Sequence, residues 1–168
     1  MPSTRIAGPR CAALVGPYLS GKTTLMESLL FAAGAVTRKG SVKDGNTVGD
    51  SAPEARARKM SVEVGLASAD YLGERWTFLD CPGSVELSAE GQSALMVADV
   101  AVVVCEPTAD KAPMLAPLFK FLDDNGIPHM LFVNKVDSMG TQDVRVRDLM
   151  QALQAASTRP LVLRQVPI

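Results

Sequence analysis

Three short stretches of this chain combine residue types that could bind one nucleotide. Residues 16–23 read Gly-Pro-Tyr-Leu-Ser-Gly-Lys-Thr, residues 80–83 read Asp-Cys-Pro-Gly, and residues 134–137 read Asn-Lys-Val-Asp. The first pattern is typical of a phosphate-binding loop, the second of a magnesium and γ-phosphate sensor, and the third of a guanine-recognition loop. Because all three occur in this order in one chain, they predict a GTP-binding domain rather than unrelated turns.

The first stretch fits the pattern Gly-x-x-x-x-Gly-Lys-Thr, in which glycines let successive backbone N–H groups point at phosphate oxygens. A helix that begins near Lys22 would add the partial positive charge of its N-terminus. The Lys22 ammonium would reach the β- and γ-phosphates, and the Thr23 hydroxyl would bind Mg²⁺, which prefers oxygen ligands. The alternative is a glycine-rich turn before an ordinary helix. The predicted nucleotide contacts here are Gly16, Ser20, Gly21, Lys22, Thr23 and Thr24.

The second stretch supplies a carboxylate and a glycine that could respond to the γ-phosphate. Asp80 would hold the water shell of Mg²⁺, and the Gly83 N–H would bond the γ-phosphate, so that loss of this phosphate releases the following loop. The alternative is a plain turn after a strand, because Asp-x-Pro-Gly is a favourable turn sequence. Asp80 and Gly83 join the predicted nucleotide-binding set, and Lys22, Gly83 and Ser84 are the candidate catalytic residues.

The third stretch discriminates best between nucleotides. The Asp137 carboxylate can accept two hydrogen bonds from the ring N–H and the exocyclic amine of guanine, whereas adenine would leave it unpaired. Asn134 would bond the base and tie this loop to the phosphate loop, and the stem of Lys135 would lie over the base. An ATP-dependent kinase or ATPase would account for the first stretch but not for residues 134–137.

A polar region follows the first predicted helix. Residues 37–59 contain glycines, a proline and many charges, and a long irregular loop inside a compact domain usually has a function. Ser61, at the end of this region, is a candidate Mg²⁺ ligand beside Thr23 and Asp80, the latter acting through water. A serine without a special role is the alternative.

Bulk properties fit one soluble domain in a reducing compartment. The chain has 168 residues, enough for a full hydrophobic core, and its net charge of −1 argues against direct binding of free nucleic acid. Cys11 and Cys105 lie in apolar runs and are expected to be buried, whereas Cys81 is expected to be less buried. No secretory signal is visible, and the longest apolar stretch, residues 94–105, is interrupted by Asp99 and too short to cross a bilayer. These features predict a cytoplasmic protein without a membrane partner.

Apolar runs and helical periodicity alternate along the chain. Strands are expected at residues 11–15, 61–69, 75–79, 100–105 and 129–133, helices at 22–33, 87–98, 112–124 and 144–155, and a further strand is possible at 161–166. This alternation predicts an α/β fold, with a mostly parallel sheet covered by helices on both faces. All three motifs follow predicted strands, so they should meet at one edge of the sheet.

The motifs and their flanks resemble the G domain of translational GTPases, in particular that of elongation factor G and its paralogues. The resemblance rests on residues 16–31, 80–83 and 134–140, and residues 44–45 and 54–62 are similar to the family's first switch loop, with Ser61 in place of the usual threonine. It implies a P-loop NTPase G domain spanning residues 1–168 that binds GTP or GDP with Mg²⁺ and acts on the ribosome.

The sequence also departs from the family's pattern at several positions. The family's fifth motif, a Ser-Ala loop that closes over guanine, is not found after Asp137, so an N-terminal fragment is expected, with residues 160–168 beginning a small inserted subdomain. Ser84 stands where the family usually has the histidine that positions the attacking water, and the single histidine, His129, is expected to serve packing. Two hypotheses follow: a GTPase with a low intrinsic rate, or a GTP-binding switch that acts through its shape with little hydrolysis.

Overall fold

The structure is a computed structural model that describes residues 10–49, 63–83, 89–139 and 146–165. The strands are β1 (Arg10–Val15), β2 (Gly65–Tyr71), β3 (Glu74–Asp80), β4 (Val100–Cys105) and β5 (His129–Val133). The α-helices are α1 (Lys22–Ala32), α2 (Ala89–Val97), α3 (Ala116–Asp124) and α4 (Val146–Ala156), and two 3₁₀ helices are η1 (Ala109–Leu115) and η2 (Val136–Met139). None of the helices in these ranges is long and apolar enough to cross a membrane.

The five strands form one sheet in the order β2-β3-β1-β4-β5. Strand β1 lies parallel to β3 and β4, and β5 lies parallel to β4. Strand β2 runs antiparallel to β3 after a tight turn in which Leu72 and Gly73 both have positive φ. The carboxyl ends of β1, β3, β4 and β5 therefore lie at one edge of the sheet, which confirms the mostly parallel fold predicted from the sequence.

Side-chain alternation along the central strand divides the hydrophobic core into two layers. In β1, Leu14 faces a cluster that contains Met26 and Leu30 of α1. The neighbouring Ala13 and Val15 face the opposite layer, because successive strand side chains point to opposite faces. Buried residues of α2, α3 and α4 fill this second layer: Leu95, Phe119, Leu122, Leu149 and Leu153. Helices thus cover both faces, as predicted.

Two predicted elements differ in kind from those in the structure, and the strand predicted over residues 61–69 is observed as Gly65–Tyr71. The helix expected over residues 112–124 begins as η1 and becomes α-helical only from Ala116. Pro113 lies inside η1 and Pro117 in the first turn of α3, and proline lacks the N–H that an α-helix interior requires. Residues 161–165 form no strand, and the Leu161 N–H instead donates to Gln154 Oε1 at 2.8 Å.

Several predicted features lie outside the described residues. Ser61 and Ser84 are among them, together with residues 50–60 of the polar region. Their proposed roles therefore remain predictions.

Candidate functional site

The phosphate loop occupies the turn from β1 to α1, and its conformation requires glycine at two positions. Gly16 and Gly21 have φ of +137° and +94°, which L-residues rarely adopt. A methyl group at Gly16 would collide with the Val104 carbonyl, and one at Gly21 with the Asn134 side-chain amide. Gly21 is also the N-cap residue of α1 and offers no side-chain cap. The first turn of α1 therefore presents its N–H groups as an anion site.

Lys22 is enclosed by the loop that precedes it. Its side chain is buried, and Nζ donates to the carbonyls of Gly16 at 3.1 Å and Pro17 at 3.0 Å. Burial lowers the pKa of Lys22, while the nearby Asp80 carboxylate opposes this effect. Gly83 packs so closely that a methyl group there would collide with Lys22 Nζ. The first and second motifs thus meet around one ammonium group.

Thr23 and Asp80 form a pair of hard oxygen donors at the same edge. The Thr23 hydroxyl donates to Asp80 Oδ2 at 2.5 Å, and Asp80 is only 1% exposed. Within the described residues no group of three or more His, Cys, Asp or Glu side chains could hold a metal. A hydroxyl and a carboxylate suit Mg²⁺, which keeps several waters and seldom uses an all-protein cage. These two residues therefore fit the predicted magnesium site.

The expectation for Cys81 was wrong. Cys81 is only 1% exposed, and its burial, followed by the charge of Asp80, raises the pKa of its thiol to about 12. It lies in the apolar layer between β1 and α2, because β3 delivers Asp80 to the site and the next side chain points to the opposite side. Cys105 is buried as expected, whereas Cys11 is partly exposed.

Asn134 joins the third motif to the first. Its Nδ2 donates to the Ser20 carbonyl at 2.9 Å, and its backbone N–H donates to the Cys105 carbonyl at 2.8 Å. Ser20 is buried, and the contact is made by its backbone carbonyl rather than its hydroxyl. One amide thus fixes the separation between the predicted phosphate and base subsites.

Lys135 makes a second connection between the same loops. Its Nζ donates to the Leu19 carbonyl at 2.7 Å and to Glu106 Oε1 at 2.6 Å. Both Lys135 and Leu19 have positive φ, +57° and +62°, and such strain in non-glycine residues is often found at functional sites. Asp137 lies in η2 with an exposed side chain, two residues after Lys135 in sequence and available to a ligand.

Sequence reasoning missed Glu106. Hydrogen bonds from Lys111 and Lys135 lower the pKa of this carboxyl group, and both lysines also form ion pairs with it. Glu106 directly follows β4, so the argument from strand ends that located the three motifs could have located it too.

The structure also describes Thr24 and His129, two further residues that the sequence analysis named. Thr24 is exposed on α1. His129 begins β5, which places it at the amino end of that strand, and its ring stacks on Phe119 with centroids 5.9 Å apart. Its Nδ1 lies 3.1 Å from the Ile127 carbonyl. The histidine therefore packs against the core, as the sequence indicated, and lies away from the carboxyl edge.

Comparisons with known proteins agree with this geometry. The family described as the elongation factor Tu GTP-binding domain matches residues 9–165. The chain is 54% identical over 159 residues to an elongation factor G-like protein of Synechocystis sp., covering 95% of this chain and 23% of that protein. It is 32% identical over 150 residues to the mitochondrial ribosome-releasing factor 2 of Rattus norvegicus, covering 89% of this chain and 19% of that protein.

A solved structure from Thermus thermophilus is also similar. It has a TM-score of 0.76 and 34% sequence identity, over 87% of this chain and 22% of that one. The chain thus spans about a quarter or less of the length of the relatives it matches.

Proposed function

The chain belongs to the elongation factor Tu GTP-binding domain family, and on that premise we propose that it binds GTP with Mg²⁺ and hydrolyses it to GDP and phosphate. The reaction would serve as the switch of an elongation factor G-like translational GTPase. The observation that carries this proposal is the hydrogen bond from Asn134 Nδ2 to the Ser20 carbonyl, 2.9 Å long. It sets the base loop and the phosphate loop at a fixed separation, as a single nucleotide spanning both would require.

The positions of the groups support a division of roles among the residues. The N-terminal turn of α1 and the Lys22 ammonium bind the phosphates, the Gly83 N–H bonds the γ-phosphate, and Asp137 reads the base. Thr23 would bind Mg²⁺ directly, and Asp80 would hold its water shell. When bound, Mg²⁺ would neutralise charge on the β- and γ-phosphate oxygens. Ser61, outside the described residues, is the proposed second hydroxyl ligand.

Binding of a fluorescent GDP analogue to the full chain tests this proposal. Asn134→Ala removes the connection between the loops and a base contact, so its Kd should rise about 30-fold, from the loss of one to two hydrogen bonds. The matched control is Asn125→Ala, because the Asn125 side chain donates to the Phe121 carbonyl at the end of α3, away from the strand ends that form the site. Equal affinities in the two variants would contradict the proposed site.

A hydroxyl substitution tests the magnesium site in the same assay. Thr23→Ala should remove most of the dependence of GDP binding on Mg²⁺, since it deletes a proposed ligand. Ser28→Ala is the control, because Ser28 lies on the same helix and its hydroxyl donates to the Thr24 carbonyl within α1. Unchanged Mg²⁺ dependence in Thr23→Ala would place the metal elsewhere.

The second candidate function is a GTP-binding switch with little or no hydrolysis. The observation that supports it is the position of the single histidine of the chain. His129 stacks on Phe119 at the amino end of β5, away from the proposed phosphate site. Single-turnover phosphate release from GTP tests this candidate through a Ser84→His variant. An acceleration of at least about tenfold would indicate that the native chain is tuned for slow hydrolysis or for none. No acceleration would mean that the water is positioned by another group.

The ribosome is the proposed partner, and the cytoplasm is the proposed location. One similar protein is named a ribosome-releasing factor and another an elongation factor G-like protein. Cosedimentation with ribosomes in the presence of a non-hydrolysable GTP analogue, compared with GDP, checks this assignment.

A further inference from the structure

Glu27 is a buried carboxylate that none of the three motifs includes. It lies on α1, one helical turn after Thr23, and is only 1% exposed. Glu27 Oε2 accepts a hydrogen bond from the Gly40 N–H at 2.8 Å, and Oε1 accepts one from the Val48 N–H at 2.6 Å. Burying a carboxylate costs free energy unless it is well hydrogen-bonded. The two backbone N–H donors therefore compensate the burial of Glu27.

The two bonds hold both ends of one loop, residues 40–48, which we call the anchored loop. Inside it, the Ser41 N–H donates to Asn46 Oδ1 at 2.7 Å, and the Asp44 N–H donates to the Ser41 carbonyl at 3.1 Å. The loop is therefore a closed turn fixed at its base by one side chain. The fit is tight, since a methyl group at Gly40 would lie 2.7 Å from Glu27 Oε2 and from the Asn46 carbonyl oxygen.

The anchored loop leads directly to the candidate magnesium site. The next residue, Gly49, packs beside Met26 and against Gly65, and a methyl group at Gly49 would lie 3.9 Å from Asp80 Oδ2. Thr23 and Glu27 occupy adjacent turns of the same face of α1, because residues four apart lie one above the other. Thr23 donates to Asp80, and Glu27 fixes the loop that leads into Gly49.

We propose that Glu27 is a positioning residue that holds the anchored loop on α1 and thereby slows release of Mg²⁺ and GDP from the adjacent site. The inference rests on the proposed function for its nucleotide, but the anchoring itself does not. Two acceptor oxygens are required, so Glu27→Gln is the diagnostic change: it preserves size but turns an N–H₂ donor toward a backbone N–H donor.

The first measurement is hydrogen exchange of the full chain without nucleotide. In Glu27→Gln, the amides of residues 40–48 should exchange at least about tenfold faster than in the wild type, from the loss of a hydrogen bond to a charged group. Asp148→Asn is the control, because it removes the same charge from an exposed position on α4. Unchanged exchange in residues 40–48 would overturn the anchoring.

The second measurement is the release rate of fluorescent GDP, with Mg²⁺ and with excess EDTA. Glu27→Gln should release GDP about tenfold faster than the wild type with Mg²⁺, and at the same rate with EDTA. Faster exchange with unchanged release, or with release accelerated equally in both conditions, would overturn the link to the metal. If the wild type binds no GDP, the proposed function and the link to it fail together, and the exchange result still decides the anchoring.

A second variant covers the case in which Glu27→Gln does not fold. Gly40→Ala leaves Glu27 and α1 intact but pushes the loop away, since its methyl group would contact Glu27 Oε2, the Asn46 carbonyl and Thr47. It should reproduce both effects. Wild-type behaviour in this variant would contradict the proposal.

Discussion

Asp137 is the residue on which the proposed base selection depends. Its exposed carboxylate, in η2, follows two residues, Asn134 and Lys135, that are fixed to the phosphate loop by side-chain bonds to backbone carbonyls. An acceptor held at a set distance from the phosphates can distinguish guanine from adenine, because only guanine offers it two donors.

Asp137→Asn should therefore weaken GDP binding by about 100-fold, since one acceptor is lost and a donor faces a donor. The fold should be unaffected, because the side chain is exposed. Isothermal titration with GDP checks this, with Asp148→Asn as a carboxylate control on α4. Similar affinities for the two variants would refute the role of Asp137.

Glu106 should make stability depend on pH. Hydrogen bonds from Lys111 and Lys135 hold its pKa below the usual value of 4.5. As pH falls, the Glu106 carboxylate of the unfolded chain therefore takes up a proton before that of the folded chain does. The stabilisation is complete above that value and is lost as pH falls through the folded-state pKa.

Glu106→Gln should lower the free energy of unfolding by about 1 kcal/mol at neutral pH. The effect is modest because the ion pairs are only partly buried. The difference from the wild type should be constant between about pH 6 and pH 8 and shrink below about pH 4.5. Urea unfolding across this range measures it, and a difference that grows at low pH would contradict the assignment.

At the scale of elements, strand ends decide which residues meet. The sequence alone predicted the parallel strands, their order along the chain and the shared carboxyl edge, because buried strands read as apolar runs and each motif directly follows one. It did not predict Glu27 beside the site, since a lone carboxylate on a helix gives no sequence signal until its hydrogen-bond partners are located. Glu106 was also missed, although it directly follows β4 as each motif follows its strand. The prediction for Cys81 was wrong because successive side chains at the end of β3 point to opposite sides, so that Asp80 lies at the site and Cys81 in the core.

Gly21, in the turn between β1 and α1, and Gly126, after α3, give a matched pair of glycine substitutions. Gly21→Ala combines an unfavourable φ with a collision against the Asn134 amide, whereas Gly126→Ala has φ of +65° and nothing within 4 Å. Both should lose about 1 kcal/mol of stability through backbone strain. Only Gly21→Ala should also weaken GDP binding, by about 100-fold or more, as its collision displaces the base loop.

Calorimetry and GDP titration of both variants separate the two effects. Equal loss of GDP affinity would show that the contact between Gly21 and Asn134 does not matter for binding.

At the scale of the whole molecule, the two apolar layers hold the sheet edge in place. Phe119 is fully buried in the layer of α2, α3 and α4, whereas Phe31 on α1 is 52% exposed. Phe119→Ala should lower the free energy of unfolding by about 3–5 kcal/mol, and Phe31→Ala by much less. Denaturant unfolding compares them, and equal effects would contradict the assigned core.

Selection of guanine over adenine is the property that the proposed site depends on most. The most direct test is displacement of a fluorescent GDP analogue from the full chain by GDP and by ADP, with Mg²⁺ present. We expect GDP to compete at least about 1,000-fold better than ADP, because adenine would leave the Asp137 carboxylate without either of its donors. Equal competition by the two nucleotides would contradict the interpretation of Asn134, Lys135 and Asp137 as a guanine-recognition loop.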